Sequence, residues 1–227
     1  MTVLYVDNEH ERVLHDPVRG PAHHAKLEVA RDRIAAAAGE SCTVMRFGEI
    51  SPGRLQQVSP TAAVLSGNAT GWEQYEFKAF EGLLAAIRAA PVPILGICGG
   101  HELIGYAHGA KWGPLGPLQE GEVDPDPSFG SGQRKERGFL PVQVDLGCPL
   151  FRGLDATARF SQSHYWQLQE VPAGFIVRAS SPYSPIQAIE RLDQRVFGVQ
   201  FHPERYNAAH RSGEVVLRNF FNLVRGH

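Results

Sequence analysis

One of the three cysteines in this sequence has the neighbours that chemistry requires. Cys98 stands in the run Ile94-Leu95-Gly96-Ile97-Cys98-Gly99-Gly100-His101-Glu102. An apolar strand pattern leads into it and a helical pattern follows. The spacing Gly-x-Cys-x-Gly is the cysteine form of the nucleophile elbow. Such a turn is tight and demands small residues two positions either side, which Gly96 and Gly100 supply. It places the thiol at a helix N-terminus, where free N–H groups and the macrodipole favour the thiolate. The Gly99 N–H is positioned to donate to an oxyanion developing on a substrate. Cys42 and Cys148 have no such setting and read as inert. A nucleophilic thiol also needs a base, and the base an orienting group. The window Phe197-Gly198-Val199-Gln200-Phe201-His202-Pro203-Glu204 offers both. His202 closes an apolar strand, Pro203 stiffens the turn, and Glu204 can reach back to the imidazole. Taken singly, a cysteine after a strand or a histidine at its end is more often structural. The two windows together carry the reading.

Other chemistries find less support. His10, His15, His23, His24 and His108 show no His-x₃-His or Cys-x₂-Cys spacing, so no metal site is expected and these read as loop histidines. No G-x-x-x-x-G-K-[ST] loop is present, so nucleotide binding is not expected, and no cofactor is called for.

The elements that must hold Cys98 and His202 follow from hydrophobic periodicity. Residues 3–6, 43–47, 62–65 and 94–97 read as short buried strands. Residues 25–38 have apolar residues at helical spacing and stop at Gly39. Residues 72–90 and 100–108 also read as helical, whereas 9–22, broken by Pro17, Gly20 and Pro21, reads as a long loop. The Gly/Pro-rich stretch 113–133 has no regular pattern, and its length suggests a lid or binding loop. Residues 139–144, 175–179, 186–189 and 196–201 alternate as strands, and 214–224 forms a closing helix. Strands and helices alternating first, then a strand-rich second half, predict an α/β fold with a parallel core and an antiparallel extension. No linker divides the chain, so residues 1–227 are expected to form one domain.

Composition narrows the class. Hydrophobic residues make up 43% of the chain, enough for a sizeable core. Twenty-two basic against 24 acidic residues give a net charge of −2, which offers no footprint for nucleic acid or an anionic membrane. No apolar run reaches membrane-spanning length, and the opening residues lack the pattern of a secretory signal. Three cysteines cannot form a complete disulfide set. A soluble, cytoplasmic protein is expected.

GICGGHE and GVQFHPE together resemble the class I, or triad, glutamine amidotransferases. Weaker likenesses lie in the opening VLYVDN, the turn VLSGN (64–68), KERGF (135–139) and SHYWQL (163–168). The resemblance implies a flavodoxin-like three-layer sandwich with a mostly parallel central sheet and an antiparallel β extension. It implies Cys98 as nucleophile, His202 as base and Glu204 as its orienter, with Gly67 and Gly99 N–H groups as oxyanion donors. Gly138 and Phe139 would form a ledge for the amino-acid end of the substrate. His164 either lines the pocket or is a strand residue bonded to backbone. The implied reaction is hydrolysis of a carboxamide through a thioester, with release of ammonia.

The chain departs from the family pattern at Glu102, where the nucleophile motif ordinarily ends in Gln. Four residues after Cys98 on a helix, Glu102 shares a face with the thiol. Its charge would raise the thiol pKa, disfavour a substrate carboxylate and favour a substrate amine. Alternatively Arg137 or Lys135 neutralises it. At this length the chain is expected to have no room for an ammonia-consuming synthase. The expected activity is therefore that of an ammonia-producing subunit serving a separate synthase, or of a free-standing amidase acting on glutamine or a γ-glutamyl amide. The alternative is a catalytically weak binding or regulatory subunit that keeps the fold. An intact Cys98, His202 and Glu204 argue against that alternative.

Overall fold

The computed structural model describes residues 1–226. Its first half alternates strand and helix: β1 (Thr2–Asp7), α1 (Glu11–Leu14), α2 (Arg19–Ala38), β2 (Ser41–Arg46), α3 (Pro52–Val58), β3 (Ala63–Leu65), α4 (Glu81–Ala89), β4 (Ile94–Ile97) and α5 (Gly99–Ala107). The second half is mostly strand: β5 (Trp112–Pro114), β6 (Glu136–Val144), β7 (Thr157–His164), β8 (Trp166–Leu168), β9 (Phe175–Ser180), β10 (Ala188–Arg191) and β11 (Val196–Val199), closed by α6 (Ser212–Arg225). Nine strands form one sheet in the order β2-β1-β3-β4-β11-β10-β9-β6-β7. Pairing is parallel from β2 through to β11 and antiparallel from β11 to β7. This is the expected flavodoxin-like α/β architecture with its antiparallel extension.

Alternation along the strands divides the core into two layers. Val3 and Tyr5 face α2 and α6, whose buried residues include Ala30, Ile34, Leu217 and Phe220. Leu4 and Val6 face the other way, toward Leu55, Leu83, Ile87, Leu103 and Ile104 on α3, α4 and α5. A strand buried on both faces reads as a continuous apolar run, which is why residues 3–6 and 94–97 are legible in the sequence.

Two expectations are corrected. Residues 9–22 are not a long loop: they hold α1 and the start of α2. The Asp16 carboxylate accepts from the Val18 and Arg19 N–H groups, and Gly20 and Pro21 fall in the first helical turn, where a missing N–H costs nothing. Residues 72–90 are not one helix. Two 3₁₀ turns, Trp72–Gln74 and Phe77–Phe80, precede α4. Strand β7 has no clear signature in the sequence, because its inward positions run Ala158, Phe160, Gln162, His164 and the apolar alternation fails halfway. Among the described residues, no helix is long and apolar enough to cross a membrane.

Candidate active site

The parallel neighbours β4 and β11 end side by side, with Ile97 opposite Val199. The Cys98 N–H continues that pairing by donating to the Val199 carbonyl at 2.8 Å. Cys98 therefore leaves the sheet beside the strand that leads to His202, at the carboxyl ends of the strands where open α/β sheets build their sites. Its backbone turns sharply, with φ 51° and ψ −109°, a left-handed conformation unusual for a side chain other than glycine. The flanking glycines are required by contact. A Cβ on Gly96 would lie 2.5 Å from the Gly100 carbonyl oxygen, and one on Gly100 would lie 2.5 Å from that of Leu65.

His202 is fixed from three sides. Its N–H donates to Ser161 O at 2.8 Å, its Nδ1 lies 2.7 Å from Glu204 Oε1, and Glu204 is in turn held through its carbonyl by Arg33 at 2.6 Å. The ring and the thiol converge over Gly67. A Cβ built there would lie 3.0 Å from His202 Cε1, 3.1 Å from Cys98 Cβ and 3.6 Å from the sulfur. Burial lowers the His202 pKa, and the Arg205 charge lowers it further, against the pull of Glu204. Burial pushes Glu204 up, but the charge and hydrogen bond of His202 hold its carboxyl below the usual range.

Cys98 is 4% exposed. Burial raises its pKa, and the Glu102 charge raises it further. The Gly99 N–H bonds toward the sulfur and pulls the other way. Cys42 and Cys148 are also pushed up by burial, each to about 12, and no histidine is among the groups that shift them. The cavity beside Cys98 has Asn68, Thr70, Glu102 and His164 for polar walls and Trp72, Phe129, Tyr165 and Trp166 for aromatic ones. Phe129 comes from the irregular stretch between β5 and β6. The Lys135 ammonium straps that stretch in place, donating to Asp124 Oδ1 and to the Asp126 and Phe129 carbonyls at 2.6, 2.8 and 2.6 Å.

Glu102 is 2% exposed and lines this cavity. Neither Arg137 nor Lys135 neutralises it: Arg137 pairs with Asp126 at 2.8 Å and Lys135 with Asp124 at 2.6 Å. Its partners are neutral donors, Trp72 Nε1 on Oε2 at 2.5 Å and Gln200 Nε2 on Oε1 at 2.9 Å. Burial raises its pKa despite both bonds.

His164 ends strand β7. It lines the cavity, with Nδ1 2.8 Å from the Trp166 carbonyl and Nε2 3.0 Å from Glu136 Oε2. Gly138 and Phe139, expected as a ledge, lie in β6 away from the cavity lining. They pair with Gln162 and Ser161 in the sheet, the Phe139 ring packs on His210 at 4.4 Å, and neither lines the cavity. Ser163, His164 and Tyr165 occupy the cavity wall instead, and the Ser163 carbonyl lies 4.0 Å from the sulfur. Strand register decides this: β6 reaches the site only through its partner β7. His23 and His24 lie on α2 rather than in a loop, and His23 Nε2 sits 3.2 Å from both Asp7 carboxylate oxygens. Among the described residues no group of three or more His, Cys, Asp or Glu could hold a metal ion.

Three residues of the site have no role assigned from the sequence: Trp72, outside every motif, and Glu136 and Gln200, inside KERGF and GVQFHPE. The last has a signal. In the sequence Gln200 stands two residues before His202 at the end of the apolar run 196–201, and a strand period would place both on one side.

The glutamine amidotransferase class-I family model matches residues 32–224, and the chain belongs to that family. A glutamine-hydrolyzing GMP synthase subunit of Pyrococcus abyssi is 35% identical over 132 residues, covering 58% of this chain and 60% of that protein. A glutamine-hydrolyzing GMP synthase of Lactococcus lactis is 30% identical over 172 residues, 76% of this chain but 29% of the relative. The chain thus matches less than two-thirds of the length of these relatives. Two solved structures share the fold. A Thermoplasma acidophilum protein, provisionally described as a GMP synthase subunit, has a TM-score of 0.73 at 21% identity, covering 100% of this chain and 94% of its own. A glutamine amidotransferase of Thermotoga maritima has a TM-score of 0.67 at 15% identity, covering 98% and 97%.

Proposed function

We propose that this chain is a single-domain, cytoplasmic amide hydrolase of the glutamine amidotransferase type. In this reading Cys98 is the nucleophile, His202 the base and Glu204 its orienter. The observation that carries the reading is the convergence of the His202 ring, braced by Glu204 at 2.7 Å, and the Cys98 thiol over Gly67. His202 takes the thiol proton as the sulfur attacks the carboxamide carbon, and the carbonyl oxygen becomes an oxyanion facing the Gly67 and Gly99 N–H groups. The C–N bond breaks as His202 returns the proton to nitrogen, which leaves as ammonia. Water then cleaves the thioester, giving the carboxylate and the free thiol. The names of the relatives favour glutamine as the amide and a separate synthase polypeptide as receiver of the ammonia. The cationic end of a glutamine or γ-glutamyl amide suits Glu102, which has no positively charged side chain as partner.

Ammonia release from glutamine and a panel of γ-glutamyl amides tests this directly. Cys98→Ser should abolish release, and a chloroketone glutamine mimic should label Cys98 rather than Cys42 or Cys148. His202→Ala should lower kcat by several orders of magnitude, and Glu204→Ala by less, because it acts only through the imidazole. Labelling at Cys148 with Cys98 untouched, or equal and small effects at 202 and 204, would refute the assignment.

A further inference from the structure

We propose that Gln200 is a positioning residue for Cys98: its side-chain amide bridges the Glu102 carboxyl and the Cys98 sulfur and so sets how readily the thiol gives up its proton. The inference rests on reading Cys98 as the nucleophile. Gln200 sits just past the end of β11 with no exposed surface. Its Nε2 lies 2.9 Å from Glu102 Oε1 and 3.8 Å from the sulfur, so one amide nitrogen, with two hydrogens, serves both acceptors. Its Oε1 is buried with no partner. An orphaned acceptor carries a desolvation penalty, which the bonds of the nitrogen offset. The backbone fixes the side chain's place. The Gln200 N–H donates to the Gln187 carbonyl at 2.8 Å, and His202 follows two residues later.

The consequence is electrostatic. The Glu102 charge opposes formation of a thiolate, and a donor on the sulfur favours it. The same NH₂ group donates to Glu102, which favours the ionised carboxyl, while its contact with the sulfur acts on the thiol directly. Trp72 caps the other carboxylate oxygen, so of these two donors Gln200 alone links carboxyl and thiol. The remaining titratable groups that bear on Cys98 are Glu204 and Arg205 after β11, with His202 beside them; His164, backed by Glu136, lines the same cavity.

The test is the pH dependence of Cys98 alkylation by iodoacetamide, followed by mass spectrometry on the full chain. It needs no substrate. Gln200→Met keeps the volume and removes both donors. Its alkylation midpoint should rise by about one pH unit, with the rate below the midpoint falling about tenfold, because a hydrogen bond to a charged group is of that order. Gln200→Asn, which keeps an amide one methylene short of the sulfur, should shift in the same direction and serves if the Met variant does not fold. A folded variant whose midpoint matches wild type overturns the proposal. The outcome is separable from the function proposed above. Loss of amide hydrolysis with an unshifted midpoint sinks the role of Gln200 and spares the hydrolase. A shifted midpoint in a chain that hydrolyses no amide does the reverse.

Discussion

Glu102→Gln is the most informative single change, because it restores the family's usual residue beside the Cys98 thiol. Gln200 Nε2 stands 2.9 Å from Glu102 Oε1 and 3.8 Å from the sulfur, so the carboxylate oxygen and the sulfur are no more than about 7 Å apart. At an effective dielectric near 20, two unit charges at that separation repel by about 2 kcal/mol, which is between one and two pH units of thiol pKa. The sign follows from the charge: a negative neighbour disfavours thiolate, so removing it lowers the pKa. The thiolate fraction at about neutral pH should therefore rise by about 10- to 100-fold. Intrinsic nucleophilicity falls with pKa and offsets part of that, so the alkylation rate should rise by somewhat less. The assay is iodoacetamide alkylation of Cys98 against pH, with Cys42→Ser and Cys148→Ser backgrounds to isolate the signal. On substrates, the same variant should lose kcat/KM on amides that present an extra ammonium more than on those that do not. An alkylation midpoint that does not move, in a folded variant, would show that Glu102 carries no charge felt at the sulfur. That result would refute the electrostatic reasoning.

Two further outcomes follow from packing and burial. Gly67→Ala sets a methyl group 3.0 Å from His202 Cε1 and 3.1 Å from Cys98 Cβ, so imidazole and thiol must separate by a few tenths of an ångström. The expected result is a fall in kcat of about 10- to 100-fold with little change in thermal melting; undiminished kcat would mean that the thiol and imidazole do not need this approach. His101 has no exposed surface, an unpartnered Nδ1, and a pKa lowered by burial from its ordinary 6.5 to about 3. The unfolded chain takes up a proton below the ordinary value, while the native state refuses it until far lower pH, so stability is lost as pH falls through that window. Between about pH 7 and about pH 5 the loss should be about 2 kcal/mol. Urea unfolding should show that loss in wild type and a correspondingly smaller one in His101→Leu; identical pH slopes would place the buried imidazole elsewhere.

The elbow glycines, the His-Pro-Glu run and the doubly buried strands are written in the sequence because each depends on near neighbours. A tight strand-to-helix turn needs Gly96 and Gly100 whatever lies around it, and Glu204 reaches His202 across a single proline. The apolar runs at 3–6 and 94–97 announce strands covered on both faces, and with them the parallel core. Contacts between distant segments have no such local signature. Ser163, His164 and Tyr165 line the cavity where Gly138 and Phe139 are expected, because β6 and β7 pair in a register that no residue type specifies. Lys135 and Arg137 are as plausible in sequence as partners of Glu102 as Trp72 and Gln200 are. Only the fold places the cations on Asp124 and Asp126, and leaves Glu102 with a buried indole and a buried amide. The types and spacing of its residues determined that this chain carries a cysteine elbow and a histidine–glutamate pair. The tertiary structure decided what charge stands beside the thiol, because burial and long-range register, which set that field, are properties of the packed sheet rather than of any stretch of chain.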